Sequence, residues 1–147
     1  MKIKNKKAFF NYEISDTFEV GIVLTGSEVK SIKGGRISLG DAYVKIVGGE
    51  LWLVGADIPR YAFDGSEFYD SKKSRKLLVR KKELLDIASK LKQKNLTLIP
   101  VSVYTTRGKI KLEVGFGKGR KNYEKKEREK ERDLDRELLY EKKKYVI

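Results

Sequence analysis

Apolar and polar residues alternate along much of this chain, the pattern of strands rather than helices. Phe10, Tyr12 and Ile14 alternate with Asn11, Glu13 and Ser15, the two-residue period of a strand with one covered face. Val20 to Leu24 is a short apolar run bounded by Gly26, which predicts a second strand. Ala42, Val44 and Ile46 alternate with Tyr43, Lys45 and Val47, and Glu50-Leu51-Trp52-Leu53-Val54 follows after Gly48-Gly49. Two such runs joined by Gly-Gly predict a hairpin, because its tight turn needs positive φ. Leu96 to Tyr104 predicts another strand. Pro100 inside it predicts an edge or a bulge, since proline has no N–H for the ladder. Thr105-Thr106-Arg107-Gly108 then turns the chain into Ile110, Leu112, Val114 and Phe116, which alternate with Lys109, Lys111, Glu113 and Gly115.

Two segments carry the helical period instead. Thr25-Gly26-Ser27-Glu28 fits a capping box, with Val29 and Ile32 three apart and Gly34-Gly35 as the stop. A second helix runs from about Lys81 to Lys94, with Leu84, Leu85, Ile87, Ala88 and Leu91 as its buried face and Asn95 as C-cap. Short strands at this spacing with two helices predict a mainly β fold, a small antiparallel barrel or sandwich.

The pattern stops near Lys118. From Gly119 to Asp133 the only large nonpolar side chain is Tyr123, too little apolar surface to offset the entropy of ordering. Residues 1–117 read as the folded body and 118–147 as a charged tail. Gly115-Phe116-Gly117-Lys118-Gly119 reads as a flexible exit between them, since it does not satisfy the phosphate-binding P-loop pattern. On a helix, Lys121, Lys125, Arg128, Arg132 and Arg136 fall within roughly 80° of arc, edged by acidic residues. Like charges along this stripe repel, so the tail is expected to be disordered when free and helical where the stripe meets phosphates.

Composition narrows the chemistry. The 147 residues include no Cys and no His, which excludes disulfides, thiolate nucleophiles, Ser-His-Asp triads and Cys/His zinc sites. The formal net charge is +13. The lysines at the start are followed only by Ala8-Phe9-Phe10, so no signal-peptide core is present and a cytoplasmic protein is expected. A large positive excess in such a protein points to nucleic acid. Four clusters carry it: Lys2-Lys4-Lys6-Lys7, Lys72-Lys73-Arg75-Lys76, Arg80-Lys81-Lys82 and Lys118-Arg120-Lys121. Most aromatics belong in the core. Tyr61, Phe63, Phe68 and Tyr69, in a polar glycine-containing loop, are the better exposed candidates for stacking on unpaired bases. Asp41, Glu50 and Asp57 have no spacing that supports a metal-dependent nuclease. On the residues alone, an RNA-binding factor, a generic ribosomal or rRNA-binding structural protein and a nuclease all remain open.

Five segments, in order, resemble the small protein B (SmpB) family, the transfer-messenger-RNA-binding proteins of bacterial trans-translation. They are Gly21-Ile22-Val23-Leu24-Thr25-Gly26-Ser27-Glu28-Val29-Lys30-Ser31, Asp41-Ala42-Tyr43-Val44, Arg75-Lys76-Leu77-Leu78, Pro100-Val101-Ser102-Val103-Tyr104 and Gly117-Lys118-Gly119-Arg120-Lys121. The resemblance implies an oligonucleotide-binding (OB) barrel with packed helices, no catalytic activity and no cofactor or metal. It implies binding to the tRNA-like domain of transfer-messenger RNA and delivery of that RNA to stalled ribosomes. There the protein stands in for codon–anticodon pairing at the decoding site and places its tail in the empty mRNA channel. Alanyl-tRNA synthetase and elongation factor Tu are further partners, reached through the RNA, and no membrane is involved.

Carried over by position, the RNA-binding residues are Glu28, Lys30, Arg36, Arg75, Lys76, Leu77, Leu78, Arg80, Lys118 and Lys121. Glu28 also has the capping role, which competes with RNA contact, although both hold if the cap also shapes an RNA-facing loop. Glu124, Lys125, Lys126, Arg128, Arg132 and Arg136 form the ribosome-engaging tail. Departures from the family pattern include Phe10 and Asp57, each in place of histidine, and Ser71 and Ser74 in place of prolines. Arg80 replaces a smaller polar residue or histidine. Glu124 and Lys126 replace aspartate and arginine, and lysine lacks the planar guanidinium fork.

Overall fold

The computed structural model describes residues 1–65 and 68–120. Its strands are β1 (Lys2–Lys4), β2 (Tyr12–Ile22), β3 (Tyr43–Val47), β4 (Glu50–Val54), β5 (Arg75–Leu78), β6 (Thr97–Thr106) and β7 (Lys109–Gly119). The helices are α1 (Lys6–Asn11), α2 (Gly26–Lys33) and α3 (Lys81–Lys94). The strands hydrogen-bond in the order β1-β6-β3-β4-β5-β2-β7, and β6 also pairs with β7. That last pairing closes six antiparallel strands into a barrel and removes the open edges a sheet would expose. β1 lies outside the ring and lines up with Ser102 to Tyr104 of β6, beyond the point where β3 pairs at Leu98.

Local sequence signals account for several of these elements. Gly48 and Gly49 take φ of 60° and 74° in the β3–β4 hairpin, as its turn demands. Thr25 and Glu28 form the complete capping box of α2, and Asn95 ends α3 in the left-handed region at φ 50°. Pro100 sits at a break in the β6–β7 register between Pro100 and Ser102, the bulge form of the expectation. Ile110, Leu112, Val114 and Phe116 are all buried. They join Leu51, Leu53, Leu77, Leu98 and Val103 in the core, with Ile32 of α2 and Leu84 and Ile87 of α3. Each such side chain contributes about 1.5–3 kcal/mol by leaving water.

The structure also departs from the pattern. The two strands expected around Tyr12 and Val20 are one 11-residue strand, irregular between Ile14 and Thr17. Phe10 belongs not to a strand but to α1, whose six residues are too few to form a helix alone. α1 is held from outside its own segment. Buried Asn5 accepts from the Ala8 N–H and donates through Nδ2 to the carbonyls of Leu39 (3.1 Å) and Pro100 (2.8 Å). Leu85 is 63% exposed, because the apolar arc of α3 is wider than the core it meets. The glycine-rich segment at 115–119 is not a flexible exit: it completes β7, pairing with β2 as far as Gly119. Among the described residues, no helix is long and apolar enough to cross a membrane.

Candidate nucleic-acid interface

The candidate residues divide by the face of the strand they occupy. In β5, Arg75 and Leu77 point into the barrel and are each 2% exposed, whereas Lys76 and Leu78 point out. A buried guanidinium needs an anion, and α2 supplies it. Glu28, 1% exposed, accepts from Arg75 Nε at 2.8 Å through Oε2. Its Oε1 accepts the Thr25 amide at 2.9 Å and lies 3.6 Å from Lys73 Nζ. Arg75 Nη1 donates to the carbonyls of Ala56 (2.8 Å) and Ser71 (3.0 Å), and Nη2 is buried with no hydrogen-bond partner. Burial pushes the Glu28 carboxyl up, but the Thr25 amide, Arg75 and Lys73 together outweigh it and hold the group below the ordinary value of 4.5.

Glu28, Arg75 and Leu77 are therefore not positioned to touch an external RNA, contrary to the expectation for them. They fix the segment between β4 and β5. The same segment is tied down by Ser31 Oγ donating to the Pro59 carbonyl (2.7 Å), Tyr69 Oη to the Ile58 carbonyl (2.6 Å) and Ile58 N to the Ser71 carbonyl (2.9 Å). From this base Phe63 and Phe68 project into solvent, 84% and 88% exposed. Tyr61 and Tyr69 are half-buried, and Lys30 Nζ stands 5.3 Å from the Tyr61 ring centroid.

The remaining candidates among the described residues lie at the surface. Lys30, Arg36, Lys76, Arg80 and Lys118 are exposed. Lys76 pairs loosely with Glu50 at 3.2 Å, and Arg80 is the N-cap residue of α3. Leu78, 55% exposed, opens onto a groove of about 360 Å³ lined by Ile22, Leu24, Val29 and Ile110. Lys109 and Lys111 also line it. Neither was among the sequence candidates, although their alternation with Ile110 and Leu112 already placed them off the core face. Lys121 and the tail residues Glu124, Lys125, Lys126, Arg128, Arg132 and Arg136 lie outside the described residues.

Among the described residues, several acidic side chains are engaged by bases or hydroxyls. Asp41 pairs with Lys7 at 2.9 Å and Asp16 with Lys90. Tyr104 donates to Glu19; burial first, then that carboxylate, pushes its phenol up to about 12, so it remains a donor at neutral pH. Among the described residues, no group of three or more acidic side chains is arranged to hold a metal ion.

A closed antiparallel barrel whose exposed strands and helix ends carry lysine and arginine defines a polyanion-binding protein of the nucleic-acid-binding barrel class. Residues 2–144 match the family model described as SmpB protein, and the chain belongs to that family. Proteins called SsrA-binding protein are similar over nearly the whole chain. One from Dehalococcoides mccartyi is 45% identical over 134 residues, covering 91% of this chain and 78% of its own length. One from Chlamydia muridarum is 42% identical over 136 residues, covering 92% and 90%. A solved chain described under "tmRNA-SmpB: a journey to the center of the bacterial ribosome" superposes with a TM-score of 0.67 and 36% identity. The match covers 82% of this chain and 85% of that one.

Proposed function

We propose that this protein binds the tRNA-like domain of transfer-messenger RNA and delivers it to stalled ribosomes for trans-translation. Its membership of the SmpB family over residues 2–144 carries this reading. The protein acts in the cytoplasm as an OB-type RNA-binding module and works by positioning, without catalysis. Exposed Lys30, Arg36, Lys76, Arg80 and Lys118 meet phosphates, and Leu78 and its groove take an apolar edge of the RNA. Lys121 extends this basic surface into the tail, whose residues from Glu124 onward enter the mRNA channel as a helix and stand in for codon–anticodon pairing. Alanyl-tRNA synthetase and elongation factor Tu engage the same RNA.

Binding to the tRNA-like domain, to an ordinary tRNA and to an unrelated hairpin is expected to differ. A preference for the tRNA-like domain should survive a rise from about 50 to 200 mM salt, while the nonspecific component falls steeply. Equal and equally salt-sensitive affinity for all three would return the chain to the generic rRNA-binding reading. Deleting residues 124–147 is expected to leave that affinity intact and abolish peptide tagging on stalled ribosomes in a reconstituted translation assay. Tagging that persists at the full-length rate would remove the tail from the mechanism.

A further inference from the structure

We propose that the outer face of β3, β4 and β5 is a second RNA-binding surface, sharing Lys76 with the basic surface described above, on which an unpaired base stacks against Trp52 between Lys45 and Lys76. The sheet register makes this juxtaposition: Trp52 stands directly opposite Lys45 on one side and Lys76 on the other. Cross-strand neighbours of this kind have Cβ atoms about 5 Å apart, so the two lysine side chains rise on either side of Trp52. The Lys45 ammonium rests 6.0 Å from the Tyr43 ring centroid, and both side chains are long enough to swing toward a phosphate. The next pair is Tyr43 with Val54, and Tyr43 and Val47 are 44% and 49% exposed. Leu51 and Leu53, the alternate residues of β4, are fully buried, so Trp52 is held on the outside by its strand and is half-buried there. It lines a hollow of about 290 Å³ with Lys45, Val47, Val54 and Ser74, at the small end of ligand sites.

An aromatic floor with a cation on each side suits a stacked base and its two phosphates. A protein partner is disfavoured, because lysines are depleted from the centres of protein interfaces. Glu50 pairs with Lys76 at 3.2 Å, but an exposed pair is weak and yields to a phosphate. The choice of RNA as ligand rests on the function proposed above; the position of the base rests on the register.

Trp52 is the only tryptophan in the chain, so its fluorescence reports this face alone. Oligouridylate and oligoadenylate of about eight nucleotides are expected to quench it, and a fully paired hairpin is not. By anisotropy of labelled RNA, Trp52→Leu should weaken oligonucleotide binding about tenfold to a hundredfold, while Trp52→Phe retains most of it. Lys45→Ala should reduce the salt slope by about 0.7. Unchanged oligonucleotide affinity in a Trp52→Leu protein that melts like wild type would overturn the proposal, as would equal quenching by the hairpin. Self-association lost on Trp52→Leu in sedimentation, with RNA affinity unchanged, would make the face a contact between copies and also overturn it. The tRNA-like domain is titrated in parallel: failure of the wild-type chain to bind it overturns the proposed function, whereas normal binding by Trp52→Leu alongside lost oligonucleotide binding establishes two surfaces.

Discussion

Glu28→Ala is expected to destabilise the folded chain by about 3–5 kcal/mol and to lower its melting temperature by about 10 °C. The substitution leaves the Arg75 guanidinium buried without its anion, with Nη2 already unpartnered. It also removes the carboxylate that accepts the Thr25 amide at the start of α2. A surface ion pair lost in the same way costs at most about 1 kcal/mol, so denaturant unfolding separates the two situations. A cost near that lower figure would mean that Arg75 reaches solvent instead. Glu28→Leu with Arg75→Met should regain part of the loss, since no charge is then left buried.

The same pair sets an acid limb. The native carboxyl of Glu28 is held below its ordinary value, so its contribution is complete above the unfolded value of about 4.3. It is lost as pH falls through the lower native value. Melting temperature is expected to fall below about pH 4 in the wild type and to fall less steeply in Glu28→Gln. For function, the pair acts only through the stability of the fold: at temperatures where Glu28→Gln remains folded, its affinity for the tRNA-like domain should match the wild type.

Gly115→Ala combined with Gly117→Ala is expected to cost about 2–6 kcal/mol, at 1–3 for each overpacked site. Both glycines face away from the core on β7, where side chains of β2 and β6 fold across the strand. A Cβ at Gly115 would stand 2.7 Å from Ile14 Cγ2 and 2.9 Å from Val101 Cγ2. One at Gly117 would strike Ile99 Cδ1 and stand 3.2 Å from Tyr12 Cβ. Ile99 and Val101 are themselves buried, as is Ala8 of α1, so a second apolar layer lies outside the barrel at this point. Ile99→Val removes the Cδ1 atom and should partly rescue Gly117→Ala in a thermal melt. Single alanine variants that melt like wild type would show that this layer moves freely.

Much of this protein was legible in the sequence because the signals are local. The capping box, the Gly48-Gly49 turn, the αL asparagine after α3 and the alternation of β7 each depend on residues within a few positions of one another. The ordered motifs, the absence of Cys and His and the excess of positive charge are enough to place the chain among RNA-binding proteins. Which charges face outward was not legible. Arg75 and Lys76 look alike in sequence, yet β5 pairs with β4 and β2, so alternate residues point to opposite faces of the ring. Arg75 goes inside because Glu28, 47 residues away, is there to receive it.

The short elements were hidden for the same reason. Lys2–Lys4 and Lys6–Asn11 carry no period long enough to register; β6 and the carbonyls of Leu39 and Pro100 hold them. Gly115 and Gly117 read as looseness in one dimension and serve close packing in three. By itself the sequence determined the elements with strong local codes, the family and the sign of the surface charge. The strand pattern left barrel and sandwich open, the family resemblance implied the barrel, and the β6–β7 pairing closes it; only the tertiary structure decided which basic residues are free to meet RNA. Those outcomes depend on neighbours distant in sequence, and neither periodicity nor composition specifies them.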